Sequence, residues 1–458
     1  MLKKLMLFLF LALSNLVYLN GQWVRQFSEA GSEYPRAIFA TSDGSIFFAG
    51  YTEINNNNGY SWILKLSADG EKLGVNSYKI GWGTPNSKDE ILDVYNDEDG
   101  FFIFAGNTEA YPQYVSVATK QMFLYKVTYE GDIVWTKVIG SELSSSFIDV
   151  YGTSDGGCLA AGYSYSLSTG SKDVTLVKLD SDGEVEWQRS YGGNGNDEPC
   201  DVYPTDDGGY IFAANSYSFY PFNGDFWLVK VKEWGDVEWE KTYGRYNEDK
   251  IYSFDITADG GYIMAGESLS GDPGNSDIWI LKLSASGDIL WQKAYKQGER
   301  SRADCVIALP EGGYAVVGTF KEQNRKEIVF FKLSEQGEII WLKKISTSLP
   351  DEETFQDSAC DLTQSADGGY GVLGLTETAQ ISDKYVLVIK VLSSGDMINC
   401  NYLKAGNLSE VDTKIVPIES SAENYVPIFI EYAVNAITSS TDFNMQILCP
   451  YKKNIIRR

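Results

Sequence analysis

The 458-residue chain sets 38 Lys and Arg against 63 Asp and Glu, a net charge of −25, and contains no histidine. That balance excludes nucleic acid and anionic membranes as partners, because binding there comes from Lys and Arg contacts to phosphate. Missing imidazoles remove histidine-based acid–base chemistry, catalytic triads and His metal ligands.

Residues 1–21 read as a secretory signal. Lys3 and Lys4 precede a short apolar run, Leu5 to Leu13, and cleavage is expected between Asn20 and Gln22. Losing two lysines and no acids takes the charge from −25 to −27. No later segment approaches the ~20 apolar residues of a membrane span. The mature chain is therefore expected to be secreted or held at the cell surface, with the periplasm as a further option and a monomer as the expected state.

Residues 22–450 repeat. An acid–Gly turn recurs at Asp43, Asp99, Asp155, Asp207, Asp259, Glu311 and Asp367, at intervals of 52 or 56 residues. Each turn opens an apolar run that ends on a small residue: Gly50, Gly106, Gly162, Ala214, Gly266, Gly318 or Gly374. An irregular loop follows, then an apolar run holding one lysine, a hairpin glycine, and a last run with tryptophan. The order is strand a, tight turn, strand b, variable loop, strand c, tight turn, strand d. Short apolar and period-two runs bounded by glycine turns are β. A four-stranded sheet cannot bury both its faces alone, and stacking such sheets radially can, so the expected fold is an all-β propeller.

Lys126 and Trp135, Lys178 and Trp187, Lys230 and Trp239, Lys282 and Trp291, and Lys332 and Trp341 are each nine residues apart. A two-residue turn between c and d sets each pair directly opposite. The expected contact is a lysine stem on an indole, with the small residue of strand b leaving room for it or for a neighbouring tryptophan. Recurrence in every repeat marks these lysines as structural rather than as an anion-binding ring.

Gln22 to Phe27 reads as a strand d, since Trp23 precedes Gly44 by the interval that separates Trp135 from Gly156. Asp396 to Leu403 reads as the seventh repeat's own strand d. Thr413–Glu419, Tyr425–Tyr432 and Asp442–Cys449 then read as strands a, b and c of a degenerate eighth repeat, which residues 22–27 complete. Eight blades are expected, closed by pairing the N-terminal strand with the C-terminal blade, which removes exposed sheet edges. Seven blades with a separate C-terminal strand cluster is the alternative. Residues 451–458 form a basic tail.

The segment Val177-Lys-Leu-Asp-Ser-Asp-Gly-Glu-Val-Glu-Trp-Gln-Arg-Ser-Tyr-Gly192, with its preceding Asp-Gly-Gly turn, resembles the repeat of secreted bacterial β-propeller proteins, often of the cell envelope and mostly without assigned activity. The resemblance covers residues 22 to about 403 and implies the fold and export. The c–d hairpin is also distantly similar to the tryptophan repeats of eight-bladed quinoprotein propellers, whose adjacent cysteine pair is missing here.

Asp93, Asp149, Asp201 and Asp361 share one position in strand a, with Ala37, Ser253 and Cys305 in the other repeats. They could line one end of a central channel and hold a cation. The preferred reading is that they satisfy backbone donors or pair with lysines. Six cysteines (158, 200, 305, 360, 400 and 449) permit disulfides in an oxidising compartment, and buried free thiols are equally expected.

Function is expected on the face that carries the d–a and b–c loops, which vary in length and chemistry: Glu53 to Tyr60, Glu109 to Gln121, Tyr217 to Asp225 and Ser346 to Asp357. Aromatic and amide groups there suit sugar rings or peptides: Trp82, Tyr111, Tyr114, Tyr163, Tyr165, Tyr217, Tyr220 and Tyr246, beside Asn194, Asn196 and Asp197. No catalytic motif, cofactor or metal site is found. The expected function is non-catalytic binding of a glycan or an extracellular protein. The alternative is a polysaccharide-degrading enzyme, which needs two carboxyls ~5–9.5 Å apart across a cleft.

Overall fold

The computed structural model describes residues 22–396 apart from loop stretches (29–30, 56–57, 82–87, 98–99, 110–119, 141–142, 166–170, 220–223, 245–246, 270–274, 297, 324, 348–354 and 379–383), and beyond them seven short strands between 403 and 449. The described residues form seven sheets, each a meander of four antiparallel strands with a fifth short strand outside. Blade 1 runs through Ser32–Ala40, Ile46–Asn55, Asn58–Leu66 and Lys72–Gly81, and blade 4 through Asp197–Pro204, Tyr210–Ser216, Asp225–Val231 and Val237–Tyr243; blades 2, 3, 5 and 6 span 89–140, 145–192, 249–296 and 300–345, and blade 7 spans 355–391 with 23–28. Strand a of each blade packs on the blade before it, and blade 1 packs on blade 7.

The count is seven, not eight. Trp23–Ser28 pairs with Lys384–Val391 and so supplies strand d of the seventh blade, with Trp23 opposite Lys390 as in the other repeats. The C-terminal stretch forms no blade. Its strands run backward around the ring and add to each outer edge in turn: Leu403–Ala405 on blade 6, Ser409–Val411 on blade 5, Ile418–Glu419 on blade 4 and Glu423–Tyr425 on blade 3. Ile430–Tyr432 then joins blade 2, Asn435–Ser439 blade 1, and Asn444–Cys449 the N-terminal strand of blade 7. The reason is local. The other repeats turn from a to b through a glycine at positive φ, as at Gly208 (+83°), a conformation that costs other residues strain. The stretch Ser421-Ala-Glu-Asn-Tyr425 has no such glycine, whereas seven unpaired strand edges stand open to it.

All five Lys–Trp pairs are directly opposed in the ladder, but the expected lysine–indole contact is replaced by two others. Four of the five lysines run to the acid of their own blade's a–b turn, Lys178 to Asp155 at 2.7 Å, Lys230 to Asp207 at 2.7 Å, Lys282 to Asp259 at 2.9 Å and Lys332 to Glu311 at 2.9 Å, while Lys126 lies over the Phe101 ring. Each tryptophan lies under the c–d turn glycine of the next blade. A Cβ on Gly287 would meet the Trp239 ring at 3.0 Å, and one on Gly337 the Trp291 ring at 2.9 Å. The Trp291 indole N–H donates to Glu335 O at 2.8 Å. Four residues beyond these tryptophans, Tyr191, Tyr243 and Tyr295 donate their hydroxyls to Gly235, Gly287 and Gly337 O, each at 2.6 Å. The Trp-x-x-x-Tyr pattern is thus an inter-blade latch. The small residue of strand b serves neither pair. It faces strand a, where a Cβ on Gly106 would meet Glu90 O at 1.9 Å and one on Gly266 would meet Lys250 O at 1.9 Å.

Candidate functional site: the channel and the loop-rich face

That crowding marks a β-bulge in every strand a. The register slips by one residue at Arg36, Leu92, Ile148, Cys200, Tyr252, Asp304 and Cys360. A bulge re-aims side chains, and here it turns this tier and the next one into a central channel with a cavity of about 650 Å³.

The next tier holds the predicted acids. Each reaches across to a backbone N–H of the following blade: Val150 N donates to Asp93 at 3.2 Å, Val202 N to Asp149 at 2.6 Å, Phe254 N to Asp201 at 2.7 Å and Ile38 N to Asp361 at 2.8 Å. Burial pushes the Asp201 carboxyl up to about 8 and that of Asp361 up to about 7. It also raises Asp93 and Asp149, and the charge of Asp93 raises Asp149 further. Among the described residues no cluster of three or more acids or thiols is set to hold a metal. Cys158, Cys200, Cys305 and Cys360 are free thiols; Cys400 falls outside the described residues. Cys200 and Cys360 occupy the bulge, whereas Cys305 sits one place on, among the acids.

Of the residues expected to bind ligand, Trp82, Tyr111, Tyr114, Tyr220 and Tyr246 lie outside the described residues. The others cluster on blades 3 and 4. Tyr163 and Tyr165 meet edge to face at 6.3 Å, with the Lys172 ammonium 4.3 Å from the Tyr163 centroid. Lys172 also pairs with Glu198, and its backbone N–H donates to Asn196 Oδ1 at 3.0 Å. Asp197 is buried and accepts from the Ser216 and Ser218 hydroxyls, with burial pushing it up to about 6. It is a bracing residue rather than a contact surface. Tyr217 donates to Glu248, which Lys250 also holds at 2.9 Å. Asn194 is exposed on the same face.

Sequence reasoning missed Lys172 and Glu198, and it missed the channel mouth. There Tyr34 stacks on Tyr51 (4.7 Å, 9°), and Arg302 lies 5.0 Å over the Tyr252 ring. The column immediately before the acids was the available signal, because it alternates between Arg, Leu, Ile, Cys, Tyr and Asp where the surrounding repeat is regular.

The topology defines a seven-bladed β-propeller. No family model matches the chain, and no curated protein matches it in sequence. Among solved structures, Sqt1 from Chaetomium thermophilum is similar at 11% identity (81% of this chain, 99% of that one, TM-score 0.45). The polysaccharide lyase Uly1 is similar at 10% (80% and 93%, TM-score 0.46). The β-propeller domain of the trilobed protease from Pyrococcus furiosus is similar at 10% (80% and 97%, TM-score 0.41).

Proposed function

We propose that the chain is a secreted, non-catalytic binding propeller whose loop-rich face takes a glycan. The observation that carries this reading is the surface built from Tyr163, Tyr165, Lys172, Asn196, Glu198, Tyr217 and Glu248. Half-buried aromatic faces are set there among fixed amide, ammonium and carboxylate groups on adjoining blades. Sugars present both C–H faces and hydroxyls, and a site of apolar planes with a few placed polar groups matches both. The channel acids are engaged with backbone N–H groups of neighbouring blades, which suits a bracing role better than acid–base work.

A carboxylate-dependent enzyme on polysaccharide is the second reading. Asp304 favours it, since burial pushes its carboxyl up to about 6 at the edge of the channel beside Tyr252 and Arg302. The test is binding of the full chain to a glycan panel, run beside a Tyr163→Ala, Tyr217→Ala double variant and an assay for released reducing ends. Saturable binding that falls at least about tenfold in the folded variant, with no chain cleavage, is expected. Reducing-end release lost in Asp304→Asn would replace this reading with the enzyme. Capture of an extracellular protein with no glycan bound would replace the ligand class.

A further inference from the structure

At the channel mouth three cations gather. Blades 6, 7 and 1 bring Arg302, Arg36 and Lys384 to one sector of a protein whose net charge is −25. Arg36 is the exposed bulge residue of blade 1, and its guanidinium stands 5.5 Å from the Tyr51 ring. Lys384 lies 4.4 Å over the Tyr34 ring and donates to its hydroxyl at 3.3 Å. Neither cation has a carboxylate within 4 Å among the described residues, although Glu377 stands opposite Lys384 in the ladder. The neighbouring lysines differ. Lys88 and Lys120 are neutralised by Glu90 at 2.6 and 2.7 Å, and Glu53 stands 3.4 Å from Lys88.

Arg302 is held in place yet open. Asp304 approaches its Nε at 2.7 Å, Tyr252 stacks beneath it, and its side chain keeps 40% of its exposure. Arg36, Arg302 and the Cys360 thiol all line the same cavity, and both guanidinium charges reach that thiol. Burial pushes that thiol up to about 12, so it adds no negative charge to the cavity. Two guanidiniums present fixed forks to an oxyanion, and the half-buried ring of Tyr34 offers an apolar plane beside them.

We propose that this mouth binds an acidic sugar unit, its carboxylate or sulfate seated between Arg36 and Arg302 with Lys384 at the rim. The inference rests on the reading of the loop-rich face as a glycan surface. It predicts binding that weakens with salt.

The test is titration of the full chain with polygalacturonate and its methyl ester, and with dextran sulfate and dextran. An Arg36→Gln, Lys384→Gln double variant and an Arg302→Gln variant run alongside. Expected is binding of the charged polymer in at least one of the two pairs and at least about tenfold weaker binding of its neutral counterpart. Which pair responds separates carboxylate from sulfate. The double variant, which sits at the rim and leaves no buried charge, loses at least about tenfold on the charged polymer and keeps the parent melting temperature. Equal binding of charged and neutral polymers, unaffected by Arg36→Gln but lost in Tyr163→Ala, Tyr217→Ala, overturns the acidic-sugar site and leaves the glycan face standing. Equal binding of polyglutamate overturns the sugar class. Binding of no glycan at all overturns both.

Discussion

Replacing Asp201 with Asn should make the protein more stable at neutral and alkaline pH and leave it unchanged in acid. Asp201 is buried in the channel, accepts from Phe254 N at 2.7 Å, and has its carboxyl pushed from 3.8 up to about 8, chiefly by burial. The folded state therefore holds a proton that the unfolded chain releases. Such a group contributes its full stability below about pH 4 and loses it progressively as pH rises to about 8. About four units at 1.36 kcal/mol each set a ceiling of about 6 kcal/mol on that loss. With an unfolding entropy of about 2.1 cal/mol/K per residue, a chain of this length shifts its midpoint by about 1 °C per kcal/mol. Asparagine keeps the acceptor for Phe254 N and cannot ionise. Thermal melts followed by circular dichroism from pH 4 to pH 9 should show coincident midpoints in acid and a gap growing to as much as about 6 °C in favour of the variant by pH 8. A gap that stays constant with pH, or a variant less stable at pH 8, would refute the reasoning, because Asp201 would then be ionised in the folded state.

Tyr243→Phe removes the hydroxyl bonded to Gly287 O at 2.6 Å and leaves a buried carbonyl unmatched, so urea unfolding should show a loss of about 1–3 kcal/mol. Lys241→Met, which breaks the more exposed pair with Asp288 at 2.8 Å on the same strand, should cost under about 1 kcal/mol; equal losses would mean that the latch is not the tyrosine. A chain ended after Asp396 lacks the fifth strand of every sheet. Bare strand edges pair with one another, so light scattering should show concentration-dependent association well above that of the full chain, and an unassociated truncated chain would contradict the role assigned to the outer strands.

The strand order was legible because its signals are local. A glycine turn, a small residue seven positions on and a Lys–Trp spacing of nine each depend on a few consecutive residues, and the ladder registers match them. The blade count was not legible, because it turns on where residues 403–449 pair, and an isolated run of three to six residues carries no information about which edge it meets. The bulges were hidden for a related reason. An extra residue in strand a leaves the apolar pattern of that strand intact, and it appears only against strand b, where Gly50 pairs with Pro35 and Ala49 with Ala37. The candidate site shares that difficulty. Lys172, Glu198 and Tyr163 come from three strands on two blades, and Arg36 and Arg302 lie 266 residues apart in sequence.

Aspartate does two opposite jobs in this ring, and the difference is one of surroundings. At the a–b turns Asp207 is held down at about 2 by the Lys230 ammonium, whereas six residues earlier, within strand a, Asp201 is pushed up to about 8 by burial. The turn carboxylates are ionised and carry the net negative charge outward, where it serves solubility. Burial raises the channel carboxyls Asp93, Asp149, Asp201 and Asp361 toward their protonated forms, so the axis of a strongly acidic protein is less negative than its composition implies. An anion approaching Arg36 and Arg302 thus meets two guanidiniums above carboxyls biased toward neutrality, with Asp304 and Glu90 at the mouth already engaged by cations. Counting acids and bases along the chain conceals that arrangement, and only the repeat column of each residue reveals it.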